Sequence, residues 1–322
     1  MITARNPRAE AQEFVPTGYE ARVLEPSPPA VHTGEFTDDP TARSEAQLIV
    51  SALTNGDLTW TQVVGQNSQL EGWARSGWLG PWDRLADLPA DYTTTRETLH
   101  QIAYFVLSPA RHRANTKIGL RFTRGGFGTP FFGSDQQMRL EGSSLVVQRG
   151  EAVEVSTLTT IGAACQAAGI DYRPDWYPRF RDQLPAADPD RELRLAEPAQ
   201  EAIYALFGFG CLVLEELRAR SEPRHQPSYV QIWPEHFDIA TELGDPERQA
   251  RASYGVSPGD DHHPEPYLYV AAWSEIDRRD PLWNDPHFNG ASLGYRQLLE
   301  SEDQVATALE FYLRIREVLS AE

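Results

Sequence analysis

The chain has 322 residues and a formal net charge of −18, and 40% of its residues are hydrophobic. This composition is typical of a soluble globular protein, and the length allows one large domain or two smaller ones. The excess of acidic residues and the lack of a dense basic run argue against nucleic acid or an anionic membrane as the main partner. The sequence also lacks a signal-peptide pattern and an apolar run of ~18 residues, so we expect a cytoplasmic protein.

The first 43 residues are rich in Pro, Glu and Thr and have no sustained hydrophobic periodicity. They predict an N-terminal arm, residues 1–43, that is poorly ordered or lies as a strap over the domain. Residues 44–170 are expected to form the first half of a globular domain. Two cysteines, Cys165 and Cys211, each lie in an apolar stretch with helical spacing and are expected to be buried free thiols.

The first half begins its regular structure with an apolar stripe of helical period. Thr94 or Thr95 is expected to cap this helix, and Pro109 is expected to end or bend it. A strand is predicted at Lys117–Thr123, and a glycine-rich bend and two further short strands follow it. A second helix is expected after them, capped by Ser156.

A Pro-, Asp- and Arg-rich stretch, residues 171–196, is typical of a linker, and residues 197–322 then repeat the order of the first half. Each half reads as a helix, three strand segments and a helix, which predicts an internal duplication. The fold class expected is α+β, with antiparallel strands and helices packed on one face of them. Ligand sites in such molecules commonly lie where the two halves meet.

Three stretches together resemble an uncharacterised bacterial protein family. They are a Thr-Leu-His helix followed by a Gly-Phe-Gly-Thr-Pro bend, the Trp-Pro-Glu-His-Phe-Asp segment, and the Ser-Pro-Gly-Asp loop with its His-Pro-Glu-Pro-Tyr continuation. The resemblance covers roughly Trp60 to the end of the sequence. It implies one folded unit and carries no activity with it.

The segment from Gly255 to Gly259 matches the G-x-S-x-G pattern of serine hydrolases. In those enzymes a helix follows the nucleophile, and the backbone N–H of the next residue helps to bind the oxyanion. Here the next residue is Pro258, which has no N–H, and the polar residues that follow do not favour a helix. The sequence therefore argues against Ser257 as a nucleophile.

A cluster of His and Asp residues in the second half is the better candidate for chemistry. His236 and Asp238 are two apart, so on a strand they share a face, and Asp260 and His262 lie on a loop that enters a later strand. Two histidines and one or two carboxylates suit a divalent metal such as zinc, manganese or iron. The alternatives are a metal-free acid–base pair and a solvated turn in which Asp260 binds backbone N–H groups.

Aromatic residues flank this cluster and predict a wall of a ligand pocket. The predicted strands next to the cluster contain Trp233, Tyr267, Tyr269 and Trp273. His100 lies on the predicted helix of the first half. Core packing is the alternative explanation for these aromatic residues, and a satisfied helix histidine is the alternative for His100.

The leading hypothesis is that the protein binds a small molecule in an aromatic-lined pocket with His236, Asp238, Asp260 and His262. A second hypothesis is a hydrolase- or oxygenase-like enzyme in which His236, Asp238 and His262 are catalytic, with or without a divalent metal. A third is a protein-interaction module without chemistry. The sequence leaves the ligand and the oligomeric state open.

Overall fold

A helix with an internal π-turn opens the described part of the chain. The computed structural model describes residues 84–123, 126–129, 136–149, 152–177, 184–228 and 230–321. Helix α1 spans Tyr92–Ile102, a π-helical turn occupies Ala103–Leu107, and α2 spans Ser108–Asn115. Pro109 cannot donate a backbone hydrogen bond to the preceding turn, and the wider π-turn directly before it lets the helix continue. The predicted N-terminal arm lies outside the described residues.

Five strands of the first half form an antiparallel sheet in which each strand pairs with the next along the chain. They are β1 (Arg121–Thr123), β2 (Gly126–Gly128), β3 (Gln136–Glu141), β4 (Ser144–Arg149) and β5 (Ala152–Thr157). Helix α3 follows at Ile161–Ala168. Its cap is Thr160, whose side chain accepts the N–H of Ala163, and not the predicted Ser156, because β5 extends to Thr157. Thr94 and Thr95 are likewise not caps, since α1 already begins at Tyr92.

The second half begins with the long helix α4, Glu197–Ala219. Five strands then form a second antiparallel sheet, again in chain order: β6 (Gln231–Trp233), β7 (Asp238–Leu243), β8 (Ala252–Ser257), β9 (Tyr267–Ala272) and β10 (Gly290–Gly294). The half ends with α5 (Tyr295–Glu300) and α6 (Gln304–Ala321). No described helix is long and apolar enough to cross a membrane.

The two faces of the second sheet have different environments because side chains alternate along each strand. Ile239 and Val256 face α4, where a Cβ added to Gly210 would lie 2.5 Å from Cγ2 of Ile239. The helix thus approaches the sheet closely at a residue without a side chain. Asp238 and Tyr269 point to the opposite face, which helices α4 and α6 leave uncovered.

The two sheets are joined at one point, where Leu120 and Ile232 exchange two backbone hydrogen bonds of 2.8 Å. The predicted α+β class, with antiparallel strands and helices on one face, is confirmed. The number of strands was predicted wrongly, because each described half has five strands and not three. A common origin of the two halves stays a prediction. The described parts of the predicted linker contain neither helix nor strand.

Candidate functional site

A cavity of about 930 Å³ lies over the face of the second sheet that α4 and α6 leave uncovered. Its walls come from one side of α1, from residues 184–186, from the β6–β7 turn, from strands β7 to β9, from the loop that follows β8, and from Phe288. Residues of both halves therefore line it, and a ligand site at the junction of the halves stays a prediction. The lining includes His100, His236, Asp238, Asp260, His262, Tyr267 and Tyr269, which were predicted from the sequence as site residues.

A tight turn between β6 and β7 brings two carboxylates to the cavity. The N–H of Phe237 donates to the carbonyl of Trp233 at 2.7 Å, and Phe237 adopts a left-handed backbone conformation with a φ of 55°. The buried Phe237 ring stacks on His100 with centroids 5.2 Å apart, which fixes the turn against α1. Glu235 and Asp238, on either side of His236, consequently line the same cavity.

Asp238 is the most deeply buried of these acids, with 4% of its surface exposed. Its Oδ2 accepts a hydrogen bond from the hydroxyl of Tyr269, whereas its Oδ1 is buried and has no hydrogen-bond partner among the described residues. Burial raises the pKa of Asp238, and this effect outweighs the opposing influence of His236 and of the Tyr269 hydroxyl. The unmatched oxygen is unusual, since most buried polar atoms in native proteins have a partner.

Glu235 is a second acid with a buried oxygen, Oε2, that has no hydrogen-bond partner in the described part of the chain. Burial raises its pKa from 4.5 to about 7, and the negative charge of Asp238 acts in the same direction. Sequence reasoning missed Glu235 because it concentrated on the alternation of a strand. In the structure, a turn of four residues between the two strands brings Glu235 near Asp238.

His100 is held in one orientation on the wall formed by α1. Its Nε2 lies 2.8 Å from the carbonyl oxygen of Pro234, so Nε2 carries the proton and donates it. Burial lowers the pKa of His100 to about 4, and the neutral ring is the form present at neutral pH. His100 therefore anchors the β6–β7 turn to the first half of the chain while lining the cavity.

The carboxylate of Asp260 is occupied by its own loop. Its Oδ1 accepts the N–H groups of His262 and His263 at 2.7 and 2.8 Å, and its Oδ2 accepts the Tyr267 hydroxyl at 2.7 Å. Burial would raise the pKa of Asp260, but these hydrogen bonds outweigh it and the pKa is lowered. The interpretation of Asp260 as a turn residue thus describes its contacts. His262 is exposed and stacks on His287 with centroids 4.5 Å apart.

Trp233 and Trp273 were predicted to line the pocket, and neither is among the residues that do. Trp233 pairs opposite Asp238 but lies on β6, the outermost strand of its sheet. Trp273 lies just beyond β9, is 57% exposed, and donates its indole N–H to Ser253 at 3.1 Å. Phe288, which was not predicted, provides an aromatic ring instead.

The metal hypothesis finds no support in the arrangement of these side chains. Among the described residues, no group of three or more His, Cys, Asp and Glu side chains is placed so that it would hold a metal ion. The cavity is bordered by His236, Asp238, Asp260 and His262, but both oxygens of Asp260 already accept hydrogen bonds, from its loop and from Tyr267 of β9. A divalent metal is therefore not carried into the functional proposal.

Ser257 is the last residue of β8 and is buried with 3% exposed surface. Its hydroxyl accepts the N–H of Gly259 at 3.1 Å, and no helix begins in the loop that follows. Ser257 thus stabilises the turn that leads to Asp260, in agreement with the argument against a nucleophile.

Comparison with known proteins gave no match: no family model, no curated protein and no solved structure is detectably similar to the chain. The resemblance described from the sequence motifs stays a prediction.

Proposed function

We propose that the protein binds a small molecule in the cavity over the second sheet. The observation that carries the proposal is that two acids lining the cavity, Asp238 and Glu235, each have a buried carboxylate oxygen, Oδ1 and Oε2, without a hydrogen-bond partner among the described residues. Leaving a buried acceptor unmatched costs about 1–3 kcal/mol. A ligand that donates hydrogen bonds to these atoms recovers that cost when it binds, which makes the unmatched acceptors useful in a binding site.

The shape and the composition of the cavity support the same proposal. Its volume of about 930 Å³ lies within the range of small-molecule sites, roughly 300–1,000 Å³. Tyr267, Tyr269 and Phe288 provide aromatic surface, with Tyr267 and Tyr269 centroids 6.1 Å apart. Aromatic walls with a few convergent polar groups are typical of small-molecule pockets.

A thermal-shift screen against a metabolite library tests the proposal, because a ligand that binds only the folded state stabilises it by RT ln(1 + [L]/Kd) and so raises Tm. Each compound that raises Tm is then tested on Ala271→Phe, which places a ring in the cavity from β9. We expect that variant to lose the response. Val155→Phe, on the exposed strand β5, is the matched control and should keep it. The proposal fails if no compound raises Tm, or if both variants respond like the unmodified protein.

A second function, acid–base catalysis on the bound molecule, is supported by the raised pKa of Glu235. A value of about 7 is that of a general acid or base that operates near neutral pH. Asp238, also with a raised pKa, lies in the same wall. Incubating each compound found by the screen with the protein, and following it by mass spectrometry, tests this function. Turnover that Glu235→Gln does not diminish would rule out the assigned role.

A further inference from the structure

The charges in the cavity wall restrict which small molecule fits. Among the described lining residues, the carboxylates are Glu97, Glu235, Asp238, Asp260 and Asp261, and the guanidinium group is that of Arg96. Arg96 donates to the carbonyl of Pro264 at 3.4 Å and lies 3.9 Å from the carboxylate of Glu97. An anionic ligand would meet five carboxyl groups and one guanidinium group among these residues.

The unmatched atoms in the wall are acceptors, and they lie close together in the chain. Oδ1 of Asp238 and Oε2 of Glu235 flank a single tight turn, and Asp238 is more than nine-tenths buried. A ligand group with several N–H donors is therefore suited to both residues. A primary ammonium group has three donors and a guanidinium group has five, whereas a hydroxyl group has one. Hydrogen bonds between such a cation and a carboxylate are also stronger than those between neutral groups.

Aromatic rings next to the carboxylates add a surface that favours a cation. The Tyr269 ring, whose hydroxyl binds Asp238, lies 6.0 Å from the Phe288 ring at an angle of 78°. Two rings at such an angle form a corner, and a cation near an aromatic face is attracted by the ring quadrupole. The apolar part of a ligand gains from burial against the same rings.

We propose that the ligand of this cavity is an organic cation whose primary ammonium or guanidinium group is bound by Glu235 and Asp238, with an apolar body against Tyr269 and Phe288. This inference rests on the proposed binding function and specifies its ligand class. Burial disfavours the charged form of both carboxyl groups. A bound cation places a positive charge beside them and so favours that form.

The test compares probes of matched size and different charge by isothermal titration calorimetry. The cations are 2-phenylethylamine and agmatine, the neutral probe is 2-phenylethanol and the anion is 3-phenylpropionate. We expect saturable binding of at least one cation and at least about tenfold weaker binding of the neutral and anionic probes. Binding of 2-phenylethanol or 3-phenylpropionate as tightly as the cations would overturn the cation inference but leave the binding function intact. Absence of binding by all four probes would also overturn the inference, and the metabolite screen then decides the binding function separately.

Variants connect the affinity to the two carboxylates. Asp238→Asn and Glu235→Gln preserve side-chain size and are each expected to weaken cation binding about tenfold or more, because an amide carries no charge. Glu235 lies on the turn and is less buried than Asp238. If Asp238→Asn does not fold, the cation affinity of Glu235→Gln alone tests the assignment. Glu265→Gln is the control, since the Glu265 carboxylate pairs with Arg296 at 3.0 Å outside the cavity lining. Equal cation affinity in Glu235→Gln, Glu265→Gln and the unmodified protein would contradict the assignment.

Discussion

Glu235→Gln should change how the stability of the protein depends on pH. The pKa of Glu235 is raised from 4.5 in the unfolded chain to about 7 in the folded protein, chiefly by burial. Between these pH values the folded protein keeps a proton that the unfolded chain has lost, so its stability falls as pH rises through the window. A change of one pKa unit corresponds to about 1.4 kcal/mol. Because the Glu235 side chain is partly exposed, we expect less than the full value. The free energy of unfolding should fall by on the order of 2–3 kcal/mol between pH values below 4.5 and above 7.

Glutamine has no proton to lose, so the variant should be as stable as the unmodified protein near pH 4.5 and more stable at pH 8. For a protein of 322 residues, the difference corresponds to a Tm increase of roughly 3–5 °C at pH 8. The measurement is thermal unfolding followed by circular dichroism at closely spaced pH values from 4.5 to 8, without ligand.

Glu97→Gln is the control for this experiment, because Glu97 lines the same cavity but is 62% exposed. Its Tm should follow that of the unmodified protein across the whole pH range. The reasoning would be refuted if the Tm difference between Glu235→Gln and the unmodified protein were the same at pH 4.5 and pH 8. In that case the burial of the Glu235 charge would not be the source of the pH dependence.

Three further substitutions test the contacts that shape the site. Tyr269→Phe removes the donor to Oδ2 of Asp238. Urea titration should show that the free energy of unfolding falls by about 1–3 kcal/mol, and by more at pH 8 than at pH 5. Gly255→Ala would place a Cβ 2.5 Å from Cζ of Tyr269. We expect the free energy of unfolding to fall by about 1–3 kcal/mol in the same assay. An unchanged urea midpoint would contradict the packing of Tyr269 against Gly255. Asp260→Ala should destabilise the protein by about 1–3 kcal/mol at pH 7, with a smaller difference as the pH falls below 3.8, because Asp260 has a lowered pKa and stabilises only when charged.

Local sequence patterns predicted much of the site because two of its parts are strands. Alternation along the strands predicts that Tyr267 and Tyr269 share a face of β9. The register of the sheet then places Asp238 of β7 on the same face as these two residues. Glu235 could not be predicted in this way, since its position depends on the left-handed conformation of Phe237 in the turn. Phe288 belongs to the loop before β10, a strand that composition did not indicate.

Helix ends were predicted less well, because long-range contacts competed with local capping. Thr95 was expected to cap α1, yet its hydroxyl instead accepts the N–H of Ala196, more than 100 positions later and next to the start of α4. A side chain engaged by another helix is not available to its own helix terminus, and no local pattern reveals that engagement. Pro109 was expected to end or bend the helix, but the π-turn that precedes it and lets the helix continue was not predicted.

The enclosure of one cavity by both halves has a consequence for how the protein is made. Arg96 on α1 and Phe288 before β10 belong to the same cavity wall but are 192 positions apart. At typical synthesis rates of about 5–20 residues per second, the ribosome needs roughly 10–40 s to pass from one to the other. During that time α1 presents a wall without its opposite side, so no ligand is able to assist the folding of the nascent first half. The proposed ligand could therefore stabilise only chains whose second sheet has already been synthesised.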